Sequence, residues 1–487
     1  MLDRRRVLAG IAAAGAAMAA QPVWSADALR DDIAILRRAY TQLHPGLYRY
    51  ATPAEIAARF DMLERDVARG LTQREAYLAL SRFLATIRCG HTYANFYNQP
   101  AKTAEALFAG RNKLPFHFRW LSDRMIVLRN QSNDARLRPG TEVLDIDGRA
   151  PSRILADLLP FARADGGNDA KRRALLDVRG LDRFETFDVF FGLLHPPKDA
   201  AFKLRLREPG STTIQAVEVK ALELAERRAA MPREPEGDDT RVRWTLTFPA
   251  PRTAVLTMPD WALYDSKWNW RAFLDDAFAE IARRNARGLI VDIRGNEGGL
   301  DCGNDIIARL IDKDLALEAY ERRVRFRKTP ADLDPYLDTW DPSFKTLGEG
   351  AIDIGNGFLR LPPQSDGEDG TLIRPKGPRF KGNLIVLTDA QNSSATFQFA
   401  QIVQANRFGR LCGEPTGGNQ RGINGGAFFF LKLPASGLEA DLPLIGRFPT
   451  TPKPDAGLTP DIPVTTTIED IATARDRIME TALRLIA

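Results

Sequence analysis

Two short runs, Leu289-Ile290-Val291-Asp292-Ile293 and Leu384-Ile385-Val386-Leu387, are apolar at nearly every position rather than at alternate ones. Successive residues of a strand point to opposite faces, so such runs demand a sheet covered on both sides, as parallel sheets are. Before the first run, Phe273, Leu274, Ala277, Phe278 and Ile281 recur at helical spacing. After the second, Phe399, Ile402 and Val403 do the same. The alternation of strand and helix predicts a largely parallel α/β core in the C-terminal half.

The chain has 487 residues, too many for one hydrophobic core, and divides by pattern. Residues 26–105 read as a helical subdomain. Ile33, Leu36, Tyr40 and Leu43 form an apolar stripe, Asp27 is the expected cap, and His44-Pro45-Gly46 is the stop. Residues 106–225 change to short β-like runs. There Leu137-Arg138-Pro139-Gly140 leads into Glu142-Val143-Leu144-Asp145-Ile146-Asp147-Gly148, and a helix is expected from Ala150 to Leu159. The charged stretch 223–244, with Pro232 and Pro235, reads as an exposed connector. Residues 226–487 contain the α/β core.

Residues 1–25 read differently again. Asp3-Arg4-Arg5-Arg6-Val7-Leu8 precedes an alanine-rich apolar stretch from Ala9 to Ala20, too short to span a bilayer comfortably. Paired arginines before an apolar segment resemble a twin-arginine export signal. Cleavage is expected near residues 19–25, after Ala17-Met18-Ala19 or after Val23-Trp24-Ser25, which would deliver the protein to the periplasm. No later segment offers the roughly 18 uninterrupted apolar residues of a spanning helix, so no stable membrane insertion of the mature chain is expected. The net charge of +5 is interspersed rather than blocked, and no nucleic-acid-binding signature is present.

Three segments could carry chemistry. Asn392-Ser393-Ser394-Ala395-Thr396 lies between a buried strand and an amphipathic helix. A serine there would stand where a helix N-terminus supplies positive potential and free N–H donors for an oxyanion, although serine in that place is also a good N-cap. Arg294-Gly295-Asn296-Glu297-Gly298-Gly299 follows the other buried strand, and its glycines permit close backbone approach. It has neither the Lys-Ser/Thr ending of a P-loop nor Rossmann glycine spacing. Of the four histidines, His91 in Gly90-His91-Thr92 sits in an expected loop, where a side chain is free to act. No histidine pair has zinc-motif spacing, and no metal or cofactor is expected.

Taken in order, these segments resemble the tail-specific (C-terminal processing) and tricorn-core serine proteases. Asp292-Ile293-Arg294-Gly295-Asn296-Glu297-Gly298-Gly299 is similar to the family's Asp-x-Arg-x-Asn-x-Gly-Gly. Gly413-Glu414-Pro415-Thr416-Gly417-Gly418 is similar to its Gly-x-x-Thr-x-Gly, and Gly457-Leu458-Thr459-Pro460-Asp461 to its Gly-Val-x-Pro-Asp. The resemblance implies a crotonase/ClpP-like α/β protease core with a PDZ-like β-rich module and a helical N-terminal subdomain. It also implies a peptide or protein substrate and an acyl-enzyme. The nucleophile then falls on Ser394, and the oxyanion donors are backbone N–H groups of Ala395 and of Gly299 or Gly298. Where the lysine-type members carry their base, this chain has Asn419, so the resemblance implies a histidine-type base, His91. Asp455 is the nearest match to the orienting carboxylate.

A different class is a non-catalytic protein binding apolar small molecules on the same fold, with Phe428-Phe429-Phe430 lining its pocket. Those three phenylalanines also read as a strand buried on both faces. Cys89, Cys302 and Cys412 each lie close to one of the motifs and are expected to converge if the motifs do. They allow a thiolate zinc site with His91, a single disulfide, or simply three small buried residues.

Overall fold

The structure, a computed structural model, describes residues 23–229, 244–264, 266–317, 320–362 and 372–486. The expected export signal, up to residue 22, lies outside the described residues, as do positions 230–243 of the expected connector.

The apolar runs build the central sheet. Its six strands lie in the order Ile462–Pro463, Arg410–Gly413, Asn383–Thr388, Gly288–Asp292, Thr253–Thr257 and Thr245–Ala250. All neighbours are parallel except the last pair. Leu289, Val291, Leu384 and Val386 pack on one face beneath the helices Trp270–Arg283, Cys302–Ile307 and Ser394–Ala405. Ile290, Ile385 and Leu387 pack on the other against Ile478, Ala482 and Ile486 of the Arg477–Ile486 helix. The two-sided burial read from the runs is therefore present, and the loops at the C-terminal ends of Gly288–Asp292 and Asn383–Thr388 emerge side by side.

A second sheet of six antiparallel strands is centred on Asn424–Lys432 and Glu439–Pro449. Its Phe429, Leu431, Leu442 and Leu444 share one core with Leu36, Tyr40 and Leu43 of the first helix. That helix, Ala26–Leu43, is capped by Ser25, whose hydroxyl accepts from the Ala28 N–H at 3.2 Å, rather than by Asp27. It stops at His44 as expected. The phenylalanine triplet is buried on one face only: Phe429 has no exposed surface, while Phe428 and Phe430 are half-buried on the opposite side. This excludes both a strand enclosed on two faces and a closed pocket lined by all three.

A third sheet joins Phe116–Leu121, Arg124–Asn130, Glu142–Ile146, Ala201–Arg207 and Ile214–Lys220 in that order, all antiparallel, with helices Pro151–Leu158 and Thr186–Leu194 inserted between its strands. The chain as described is a mixed α/β fold with a β-rich module and a helical subdomain. The connector does not begin at residue 223. Leu224–Ala229 is helical, and Arg227 is buried in an ion pair with Asp188 at 2.9 Å, also donating to the carbonyls of Phe116 and Leu114.

Candidate active site

The Asn383–Thr388 strand ends in a tight turn that delivers Ser394 as the first residue of the Ser394–Ala405 helix. Ser394 has φ of +50°, a left-handed conformation that costs a non-glycine residue about 1 kcal/mol or more. The turn is held against relaxation by its neighbours. The Asn392 carboxamide is fully buried, donates to the carbonyls of Ile293 and Asn296, and accepts from the Asp389 N–H at 2.8 Å. The Thr396 hydroxyl is within 2.9 Å of the Asn296 carbonyl and 2.8 Å of the Ser393 carbonyl. Neither serine caps the helix with its side chain. Ser393 Oγ donates to the Glu297 carbonyl at 3.1 Å, and Ser394 Oγ has no hydrogen-bond partner among the described residues. The capping role that would explain an inert serine is thus absent.

The glycine pair closes over this turn. A Cβ on Gly298 would lie 2.8 Å from the Ala395 nitrogen and 3.0 Å from Ser394 Cβ, so only glycine allows the approach. Gly298 and Gly299 have φ of +101° and +141°, which again suits glycine. The Gly298 N–H donates to Asn296 Oδ1 at 2.9 Å and is therefore occupied. The N–H groups of Gly299 and Ala395 have no acceptor among the described residues. Between Gly298 and Gly299, geometry thus favours Gly299 as the second oxyanion donor beside Ala395.

His91 stands on a loop pinned from several directions. Gly90 N–H donates to Asp165 Oδ1 at 2.9 Å, Thr92 N–H donates to the Cys89 carbonyl at 3.1 Å, and Thr92 Oγ1 lies 2.9 Å from His44 Nε2. The half-buried imidazole rests against Phe428, with ring centroids 5.9 Å apart, and faces Gly425, where a Cβ would come 3.8 Å from the ring. It hydrogen-bonds to no described residue, and its Nδ1 is buried. Burial pulls its pKa below the ordinary 6.5. Asp165 opposes that shift, and Arg163 adds to it. A ring kept neutral is in the state a base requires.

Asp455, expected as the orienting carboxylate, does not bond to His91. Its Oδ1 accepts from Gly167 N–H at 2.9 Å and from Asn419 Nδ2 at 2.6 Å, which ties together two loops. The carboxylate that acts most strongly on the imidazole is Asp165, which sequence reasoning passed over because nothing local marks it. Asn419 donates also to the Asp165 carbonyl at 3.1 Å, so the position of the lysine-type base is occupied by a structural amide.

A charged cluster unread from the sequence joins the base loop to the glycine pair. Arg163 donates to the Gly90 carbonyl at 2.8 Å, stacks over the Tyr93 ring at 4.3 Å, and pairs with Glu297 at 3.3 Å. Lys171, buried, pairs with the same carboxylate at 3.1 Å and donates to the Gln391 carbonyl at 2.9 Å. Glu297 immediately precedes Gly298, so the cluster links His91, the oxyanion loop and the turn before Ser394. Burial alone would raise the Glu297 carboxyl, but Lys171 and Arg163 outweigh it and hold it below the usual range.

Cys89, Cys302 and Cys412 are free thiols in three separate apolar clusters. Cys302 and Cys412 lie on opposite faces of the central sheet, and burial pushes the Cys89 thiol up to about 11. Among the described residues, no three His, Cys, Asp or Glu side chains meet as metal ligands. The disulfide and thiolate-zinc alternatives therefore fall, leaving three small buried residues.

Residues 252–428 match the model of Peptidase family S41. Among solved structures the chain resembles mature CPAF complexed with lactacystin, at TM-score 0.65 and 15% identity, over 94% of this chain and 97% of that one. It resembles a second structure of mature CPAF at TM-score 0.61 and 16% identity, over 94% and 96%. At such identities the likeness is one of fold. No curated protein matches the chain in sequence.

Proposed function

We propose that this chain, whose residues 252–428 match the model of Peptidase family S41, is a serine-type peptidase that cleaves peptide bonds through an acyl-enzyme on Ser394, with His91 as general base. His91, neutral above its depressed pKa, takes the Ser394 proton as Oγ attacks the scissile carbonyl. Negative charge develops on the carbonyl oxygen, where the N–H groups of Ala395 and Gly299 can receive it at the positive end of the helix dipole. His91 then gives the proton to the leaving amine and later takes one from the water that releases the acyl group. Asp165 supports the transient imidazolium electrostatically, the part expected of Asp455. The observation that carries this reading is Ser394 itself: a strained serine with an unbonded hydroxyl, at a helix N-terminus beside free N–H donors.

We extend the proposal to three further points. The core is of the crotonase/ClpP type, supported by its parallel sheet and by the turn at the Ser394 helix. The five-stranded module is PDZ-like and positions a substrate terminus. The protein is exported to the periplasm, with cleavage after Ala17-Met18-Ala19 rather than after Ser25. Val23–Trp24 pairs with Leu71–Thr72, and Ser25 caps the first helix, so the later cut would remove folded structure. N-terminal sequencing of the exported protein distinguishes the two sites.

The central test is covalent labelling by a fluorophosphonate together with peptide turnover. The wild type should be labelled at Ser394, and Ser394→Ala should lose labelling and turnover while melting within a few degrees of the wild type. Turnover retained in Ser394→Ala would move the nucleophile elsewhere.

A further inference from the structure

From His91 an aromatic strip leads out to solvent. Phe428 and Phe430 project from the same face of the Asn424–Lys432 strand because side chains two apart share a face. This strand, whose register shifts between Gly425 and Phe428, faces the base: a Cβ on Gly425 would come 3.8 Å from the His91 ring, and the Phe428 ring centroid lies 5.9 Å from it. Trp340 covers the strand further out, with its ring 5.7 Å from both Phe428 and Phe430. Trp340 is itself 59% exposed, the largest exposed side chain among the described apolar residues.

The tryptophan is held in place. Leu337–Asp338 pairs in register with Leu431 and Phe430. The Asp338 carboxylate binds Lys432 at 2.7 Å, and Phe344 meets the Trp340 ring edge-on at 5.4 Å. An ordered aromatic face left open to water, continuous with a candidate catalytic base, marks a binding surface rather than incidental exposure.

We propose that Trp340, Phe428 and Phe430 form a substrate subsite for a large apolar side chain, aromatic or branched aliphatic, close to the scissile bond. The proposal rests on the assignment of Ser394 and His91 as the catalytic pair. Two ring-to-ring steps separate Trp340 from His91. An extended peptide advances about 3.3–3.6 Å per residue, so the occupant lies within about four residues of the cleaved bond. The surface carries apolar rings and only a rim ion pair, Lys432 with Asp338, which disfavours a charged occupant.

The test is cleavage of a defined peptide mixture by the full-length protein, with cut sites and relative kcat/KM read by mass spectrometry. The wild type should prefer Phe, Leu or Trp over Ser at one position within four residues of the cut by about tenfold or more. Trp340→Ala should reduce that preference to within about twofold of unity, and Trp340→Phe should retain most of it. Melting temperatures control for misfolding. A wild type that is labelled at Ser394 and cleaves without apolar preference overturns the subsite while leaving the catalytic reading intact. So does a preference that survives Trp340→Ala. A Trp340→Ala protein that keeps the preference but changes oligomeric state on size-exclusion chromatography would reassign the strip as a contact between copies. Absence of both labelling and cleavage in the wild type removes the catalytic assignment and the subsite with it.

Discussion

Replacing Glu297 by Gln tests whether the charged cluster positions the active site, since it keeps the shape and removes the charge. The Glu297 carboxylate receives Arg163 at 3.3 Å and Lys171 at 3.1 Å. Lys171 is the more vulnerable partner: its side chain is 5% exposed and would keep only the oxygens of Gln391. Stripping one partner from a fully buried pair costs about 3–5 kcal/mol, and an exposed pair is worth about 1 kcal/mol or less. The Glu297 side chain is 41% exposed, so solvent screening places the expected loss between these limits, at about 1–3 kcal/mol. Catalytically, Glu297 anchors the peptide leading into Gly298 and Gly299. Losing an oxyanion donor outright costs about 10²–10³ in kcat, so loosening one should cost about tenfold. The pH profile separates this role from a merely structural one. Glu297 favours the protonated form of His91, whereas Arg163 and Lys171 oppose it. Removing the carboxylate therefore lowers the His91 pKa further below 6.5. Activity rises with pH through that pKa, so the acid limb should move to lower pH even as kcat falls. The assay is kcat and KM against one peptide from pH 4 to 9, alongside thermal melts. An acid limb that stays in place or moves upward, with kcat within twofold of wild type, would refute the reasoning.

Gly298→Ala should lower kcat by about a hundredfold or more, because its Cβ would lie 2.8 Å from the Ala395 nitrogen, a donor expected to bind the oxyanion; circular dichroism should show the fold retained. Asp441 is buried, accepts from Asn95 Nδ2 at 2.8 Å and Asn98 Nδ2 at 2.9 Å, and is pushed by burial up to about 7. A carboxyl raised in the folded state contributes stability below its unfolded pKa near 3.8 that is lost as pH rises through 7, so the melting temperature of the wild type should fall between pH 5.5 and 8.5 by more than that of Asp441→Asn. His44 behaves in the opposite sense: burial lowers it to about 3, so its contribution is complete above about 6.5 and lost as pH falls toward 3, and acid unfolding should be delayed in a stable His44→Gln variant.

Local chemistry made the backbone of the site readable in the sequence. The unbroken apolar runs at Leu289–Ile293 and Leu384–Leu387 required a sheet covered on both faces, and the glycine pair and the serine follow those strands at once in the chain. Their adjacency is a property of parallel neighbours, so the turn at Ser394 and the loop at Gly298 could be anticipated together. The remaining features were decided by tertiary structure. Arg163, Asp165 and Lys171 sit in the β-rich module, more than a hundred residues from Glu297, and their sequence context is that of ordinary surface charges. Only packing brings them to one carboxylate and one imidazole. Asp455 was the best carboxylate by position, yet the loops of Gly167 and Asn419 took it. The sequence likewise left open whether the cysteines pair; the fold buries Cys89, Cys302 and Cys412 as free thiols in three different apolar clusters. Periodicity determines which face a side chain takes, whereas long-range electrostatic partners depend on which loops the fold brings together, and no local pattern encodes that.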